Sequence, residues 1–327
     1  MLRLPKFRYL QPRSVSEAIT MMADSGPDAM FVAGGTDLYP NMKRRQQTPK
    51  VVIGLAQVKD LCTMKGEPKE GVVLGAGLTL ADVTADRRIH GAYPAVAKAA
   101  ELISTPLLRN MGSIGGNLLL DTRCNYYDQN YEWRKAIHFC MKKDGEICWV
   151  APSSPRCWAV QSSDCAPVMV AIGAKVKLVS HSGERLISAA ELYNDDGIRH
   201  LNKRPDELLT EIHLPPVNGW RATYWKLRRR GTFDFPVLGV ATLLKLSSDG
   251  TVEDSKIILG GVGSHPLEAT AAEKVIAGKK LTEEIIREAG QAAYQPAKPL
   301  DNTDFAFTWR KEMARLYVAG TLRELVQ

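Results

Sequence analysis

Phe31-Val-Ala-Gly-Gly-Thr-Asp-Leu38 is the stretch on which the fold turns. The apolar run at 29–33 reads as a buried strand, and it ends in two glycines followed by a Thr-Asp pair. Glycine lets successive N–H groups converge and lets a ligand approach the backbone closely, which suits a pyrophosphate. Arg109-Asn-Met-Gly-Ser-Ile-Gly-Gly-Asn-Leu118 offers that chemistry a second time, with three glycines, a hydroxyl and an amide. Taken singly, a Gly-Gly at a strand end is a turn more often than a phosphate site. Two such loops in one domain point to a dinucleotide. The usual fingerprints do not supply one. Gly75-Ala-Gly77 lacks the third glycine and the distal acidic residue, so it reads as a turn. Gly278-Lys279 lacks the Walker spacing, and Gly260-Gly-Val-Gly263 reads as a tight turn.

Around this stretch short helices and strands alternate. Ser14-Val-Ser-Glu17 predicts a capping box that opens a helix ending near Gly26. Residues 51–55 and 72–74 read as strands, Thr79-Leu-Ala-Asp82 caps a short helix, and 94–103 is apolar at helical spacing. Asp164 is placed to cap a helix through Ala171, and 175–179 and 208–214 read as strands. Pro215 to Gly219 reads as a domain boundary. Beyond it, strands at 222–228, 237–246 and 256–259 precede helices that begin near Leu267, Thr282 and Asp304. Strands first and helices second indicate a separate α+β domain.

The chain has 327 residues, and 43 basic against 36 acidic side chains leave a formal charge of +7. The hydrophobic fraction of 45% and charged fraction of 24% are those of a folded soluble protein and argue against disorder. No apolar run reaches the ~20 residues of a membrane helix. Met1-Leu-Arg-Leu-Pro-Lys-Phe-Arg8 has charge but no apolar stretch after it, so a cytoplasmic location is expected. Basic residues are scattered except at 43–45 and 226–230, so neither nucleic acid nor membrane is expected as a partner.

Cysteine is unevenly spread. Four of the six fall in one stretch, as Cys124-x15-Cys140-x7-Cys148-x8-Cys157. Residues 121–160 also hold seven aromatic side chains and show no helical or alternating period. Such a loop is an insertion that something ties down. Disulfides are disfavoured without a secretory signal, and zinc sites usually use C-x2-4-C knuckles, which are missing here. An iron–sulfur cluster accepts thiolates delivered singly, so cluster, zinc and metal-free thiols all stay open, the cluster first. Cys62 and Cys165 read as ordinary buried thiols, and His138 as a second-shell or surface residue. No metalloprotease or nucleophile-elbow motif occurs, so no catalytic side chain is assigned; any chemistry belongs to a bound cofactor.

Four segments in order, 31–38, 109–118, Ser163-Asp-Cys-Ala-Pro167 and Leu208-Leu-Thr-Glu-Ile-His-Leu-Pro215, resemble one family. It is the FAD-binding medium subunit of molybdenum hydroxylases, of the xanthine dehydrogenase and carbon monoxide dehydrogenase type. The resemblance spans essentially the whole chain. It implies an α+β fold: a two-part PCMH-type (vanillyl-alcohol-oxidase-like) FAD-binding domain at 1–218, with subdomains 1–55 and 56–218. A C-terminal domain at 219–327, a three-stranded sheet plus helices, would follow. By the resemblance, FAD would be held by Phe31, Val32, Ala33, Gly34, Gly35, Thr36, Asp37 and Leu38, with Gly112, Ser113, Gly115, Gly116 and Asn117. Asp164 and Lys226 would make polar contacts to it and Leu209 would pack near the flavin.

The insertion at 121–160 resembles that of the 4-hydroxybenzoyl-CoA reductase beta subunit, which implies a [4Fe-4S] cluster on Cys124, Cys140, Cys148 and Cys157. It further implies a large molybdenum-cofactor subunit and a small [2Fe-2S] subunit as partners, a dimer of heterotrimers, and inward electron flow from a ferredoxin-like donor. Arg228 to Arg230 would be the place for an acidic donor to dock. Some aldehyde oxidoreductases of the family also carry a cysteine-rich insertion that begins Thr-Arg-Cys. The alternative is therefore the medium subunit of an aldehyde or N-heterocycle dehydrogenase with outward flow. A zinc-stapled FAD scaffold is a third expectation.

Overall fold

Three separate sheets organise the computed structural model, which describes residues 2–327. The first sheet is parallel, with β3 (Val51–Gly54) between β1 (Arg8–Leu10) and β2 (Ala29–Val32). All four residues of β3 are buried, which is why Val-Val-Ile-Gly shows no alternation. Helix α1 (Val15–Ser25) joins β1 to β2. Ser14 Oγ accepts from Glu17 N at 3.1 Å, but the Glu17 carboxylate takes Arg13 N rather than the N–H of Ser14. The box is therefore half formed. Helix α2 (Leu38–Lys43) follows the first glycine loop.

The second sheet is antiparallel, in the order β4 (Met64–Glu67), β5 (Gly71–Gly75), β8 (Leu208–Leu214), β6 (Lys175–Ser180), β7 (Gly183–Ser188). Between β5 and β6 run α3 (Leu80–Ala85), α4 (Arg87–Ala92), α5 (Pro94–Glu101), α6 (Pro106–Arg109), α7 (Ile114–Leu118), α8 (Tyr131–Ala136) and α9 (Cys165–Ala171). Thr79 and Asp82 complete a reciprocal capping box on α3. Asp164 stands at the N-cap of α9 but makes no capping bond; Ser163 Oγ accepts from Ala166 N at 2.9 Å instead. The carboxylate is needed elsewhere. In the β6–β8 pairing the register slips, so Lys177 faces Glu211 while Leu178 faces Leu209. Thr210 is the extra residue of a bulge, and Leu208, Leu209 and Thr210 are buried in succession.

The third sheet has four antiparallel strands, not the expected three: β12 (Leu267–Glu268), β11 (Val252–Gly260), β10 (Leu238–Leu246) and β9 (Trp220–Leu227). The helix expected near Leu267 starts later, as α10 (Thr270–Ile276), because Leu267 and Glu268 pair with Leu259 and Ile258. Helices α11 (Glu283–Ala293) and α12 (Phe307–Val326) complete the chain. These helices cover one face of β9–β11, while α5 and α9 lie against the other. Burial on both faces explains why seven residues of β10 in succession, Leu238 to Leu244, are buried.

Between α7 and α9 the insertion contains only α8 as regular structure. Its base is closed by a two-way bridge in which Arg123 and Val160 exchange N–H···O bonds of 2.8 Å. Cys62 is exposed, contrary to expectation, whereas Cys165 is fully buried. Among the described residues no helix is long and apolar enough to cross a membrane.

Helix α11 meets α12 through Gly290, where a Cβ would lie 2.6 Å from the Arg315 carbonyl oxygen. Gly290→Ala should destabilise the chain by about 1–3 kcal/mol in denaturant unfolding, with its flavin content intact. An unchanged midpoint would mean that the helices separate freely there.

Candidate cofactor sites

The two glycine loops touch. A Cβ on Gly34 would sit 1.7 Å from the Met111 carbonyl oxygen, and one on Gly115 would lie 2.6 Å from the Ala76 side chain. Only glycine permits the first contact. Gly35 adopts φ +72°, and Ser113 caps α7 through an Oγ contact of 3.1 Å from Gly116 N. Among the described residues, the N–H groups of Gly34, Gly35, Thr36 and Asp37 donate to no backbone carbonyl. Four consecutive amides thus edge a cavity of about 800 Å³. Unpaired N–H groups in a row suit a diphosphate, and the volume is that of a large organic ligand.

Every residue from Phe31 to Leu38 lines this cavity, and Gly112, Ser113, Gly115, Gly116, Asn117, Asp164 and Leu209 also line it. Asn117 Oδ1 accepts from Ser163 Oγ at 2.7 Å and from Cys165 N at 3.2 Å, which fixes the amide against α9. Leu209 reaches the wall through the β8 bulge. Lys226 does not line the cavity. Its ammonium lies behind Asp164, 2.9 Å from Oδ2 and 3.0 Å from the Leu102 carbonyl oxygen. Tyr224 donates to the other carboxylate oxygen at 2.9 Å. Burial pushes the Asp164 carboxyl up and the Lys226 ammonium down, and their mutual attraction opposes both. Lys226 thus holds Asp164, and only Asp164 faces the cavity.

Other wall residues carry no motif. Ala76 and Gly77, part of the segment read as a turn, line the cavity because Gly115 N donates to the Ala76 carbonyl at 2.9 Å. Arg123 pairs with Asp37 at 2.5 Å and stacks on Phe235 with 3.7 Å to the ring centroid. Lys203, whose ammonium is pulled down to about 8 by burial, and His200 stand on the same wall. The basic run is largely answered within the chain: Arg228 donates to the Leu102 carbonyl, Arg229 pairs with Asp304 and Arg230 with Asp234. It is a poor free docking patch.

The four clustered cysteines converge as well. Cys124, Cys140, Cys148 and Cys157 are 4–7% exposed and line one small second cavity with Tyr127, Lys142 and Trp149. Among the described residues, no three His, Cys, Asp or Glu side chains are set to hold one metal ion. Burial pushes the Cys124 thiol up to about 12 and that of Cys157 to about 11. His138 is exposed and takes φ +59°. The insertion is tied down on three sides. Arg134, 1% exposed, donates to the Arg44 and Arg45 carbonyls, and Gln46 Nε2 donates to the Tyr127 carbonyl at 2.6 Å. Asn125 N donates to Asn302 O at 2.8 Å, and Gly197 N donates to Cys157 O at 2.9 Å.

Gly34→Ala should separate the two loops and cost the purified chain its flavin, with at least a tenfold loss of affinity. Gly91→Ala, where a Cβ meets nothing within 4 Å, should leave the flavin spectrum unchanged. Stoichiometric flavin on Gly34→Ala would show that the loop contact does not shape the site.

The model for the FAD binding domain in molybdopterin dehydrogenase matches residues 5–217, and that for the CO dehydrogenase flavoprotein C-terminal domain matches 222–325. The aldehyde oxidoreductase FAD-binding subunit PaoB of Escherichia coli is 31% identical over 82% of this chain and 85% of its own. The carbon monoxide dehydrogenase medium chain of Afipia carboxidovorans is 28% identical over 94% and 92%. A crystal structure of Cu,Mo-CO dehydrogenase in its cyanide-inactivated form superposes with a TM-score of 0.82 at 25% identity, covering 99% of both chains. The chain therefore belongs to the molybdopterin-dehydrogenase FAD-binding family, as an oxidoreductase flavoprotein subunit with a C-terminal domain of the CO dehydrogenase type.

Proposed function

We propose that this chain is the FAD- and [4Fe-4S]-carrying electron-transfer subunit of a molybdenum-containing 4-hydroxybenzoyl-CoA reductase. It would accept electrons from a ferredoxin-like donor and pass them toward [2Fe-2S] and molybdenum subunits in a cytoplasmic dimer of heterotrimers. The observation that carries this reading is the second cavity: four buried cysteines line one space beside the large one. A lone tetrahedral zinc draws all its thiolates to about 2.3 Å from one point. A cubane takes four thiolates delivered singly, which is how this stretch supplies them.

Residue by residue, the amides of Gly34 to Asp37 and the Ser113 end of α7 would hold the diphosphate of FAD, with Asp164 and Leu209 toward the ring system. Bound FAD supplies a centre that exchanges electrons singly or in pairs. The chain's own part is distance. Asp121 lines the first cavity and Cys124 the second, and three residues span at most about 11 Å of backbone. Tyr127 and Ala159, both buried beside the thiols, limit water there, which would lower the potential of a cluster held among them.

A second reading is the medium subunit of a molybdenum-dependent aldehyde or N-heterocycle dehydrogenase with outward flow. It is favoured by the aldehyde oxidoreductase subunit at 31% identity. The partner's substrate site and the preferred donor separate the two readings.

The test is iron, acid-labile sulfide and zinc on anaerobically purified protein, with an EPR spectrum after dithionite reduction. About four irons and four sulfides per chain are expected, with a low-temperature signal. Cys148→Ser should lose the iron and keep the FAD. Roughly one zinc without sulfide would replace the cluster by a structural staple.

A further inference from the structure

Between the two cavities lies a buried ion pair that neither cofactor motif accounts for. Lys142 lines the cysteine cavity, and its side chain is 6% exposed. Its ammonium makes three bonds, to Asp121 Oδ1 at 2.8 Å, Thr122 Oγ1 at 2.8 Å and the Gly197 carbonyl oxygen at 2.7 Å. It also stands 4.8 Å from the Tyr127 ring centroid. Asp121 lines the other cavity, and its second carboxylate oxygen accepts from Tyr127 at 2.9 Å. One pair therefore touches both sites, with its positive end toward the cysteines and its negative end toward the flavin cavity.

We propose that the Lys142–Asp121 pair is a positioning and charge-setting device that governs how an electron divides between the two cofactor sites. This rests on the [4Fe-4S] reading above. Adding an electron to a thiolate-ligated cluster increases its negative charge, so a fixed ammonium in its wall stabilises the reduced form. A buried charge acts over a short distance with little screening, unlike the exposed lysines of the surface. The carboxylate on the other side offsets part of that field and disfavours added negative charge near the flavin. The pair also has a mechanical role. Thr122 Oγ1 donates to the Gly197 carbonyl, and Gly197 N donates to Cys157 O in the insertion, so Lys142 closes a ring joining both ends of the loop.

The two halves of the pair should shift the cluster in opposite directions, which no purely structural role predicts. In the purified complex containing this chain, a dithionite titration followed by EPR and visible absorbance reads the cluster midpoint. Lys142→Met should move it to a more negative potential, Asp121→Asn should move it to a more positive one, and Lys142→Arg should restore the original value. If Lys142→Met loses its iron, the Asp121→Asn protein decides alone, and an upward shift supports the pair. Iron retained with both midpoints unmoved, or both moved the same way, overturns the inference and leaves the cluster reading intact. An unsubstituted protein without iron and sulfide overturns the cluster reading and this inference with it.

Discussion

The contact of Gly34 with the Met111 carbonyl is the constraint on which the rest depends. It brings the end of the parallel sheet against the loop that precedes α7, and the large cavity is the space between them. Any side chain at position 34 would separate these two units by more than the 1.7 Å gap allows. The same approach leaves the N–H groups of Gly34 to Asp37 without backbone acceptors. Backbone donors left unpaired are costly unless a ligand or water satisfies them, so one geometry gives both the close packing and a row of donors suited to an anion.

Behind the large cavity, buried charges join the C-terminal sheet to its walls. Asp164 at the start of α9 takes Lys226 and Tyr224, both on β9. Removing one partner of a buried, hydrogen-bonded ion pair typically costs roughly 3–5 kcal/mol, because the other charge is stranded. The third sheet is thus held against the wall of the large cavity by specific polar contacts as well as by apolar burial. Asp164 gives up its capping role to Ser163 to make them.

The insertion solves a different problem. It has one short helix and little core of its own, so its shape comes from groups outside it. Arg134 reaches the carbonyls after α2, Asn125 reaches Asn302, and Lys142 reaches Gly197. These anchors lie far away in the chain and bring four cysteines to one cavity. Tyr126, Tyr127 and Trp149 of the loop line that cavity beside the thiols.

Much of this molecule was legible in its sequence because local chemistry carries it. The glycine loops, the α3 capping box and the apolar run of β10 each follow from side chains a few residues apart. The four cysteines announced themselves by clustering in one unpatterned stretch. What the chain order conceals is which distant groups meet. Lys226 reads as a cofactor contact but stands behind Asp164, and Ala76 and Gly77 read as a turn but form the cavity wall. The fourth strand was hidden because two residues, Leu267 and Glu268, are too few for a pattern and pair only with β11 in place. Asp121 and Lys142 carry no motif, and Arg123 reads only as part of the start of the insertion; their contacts arise from tertiary structure. Short-range periodicity and backbone chemistry therefore determined the elements and marked out the glycine loops and the cysteine cluster. Long-range packing alone decided which charges are buried together and how near the two cavities lie.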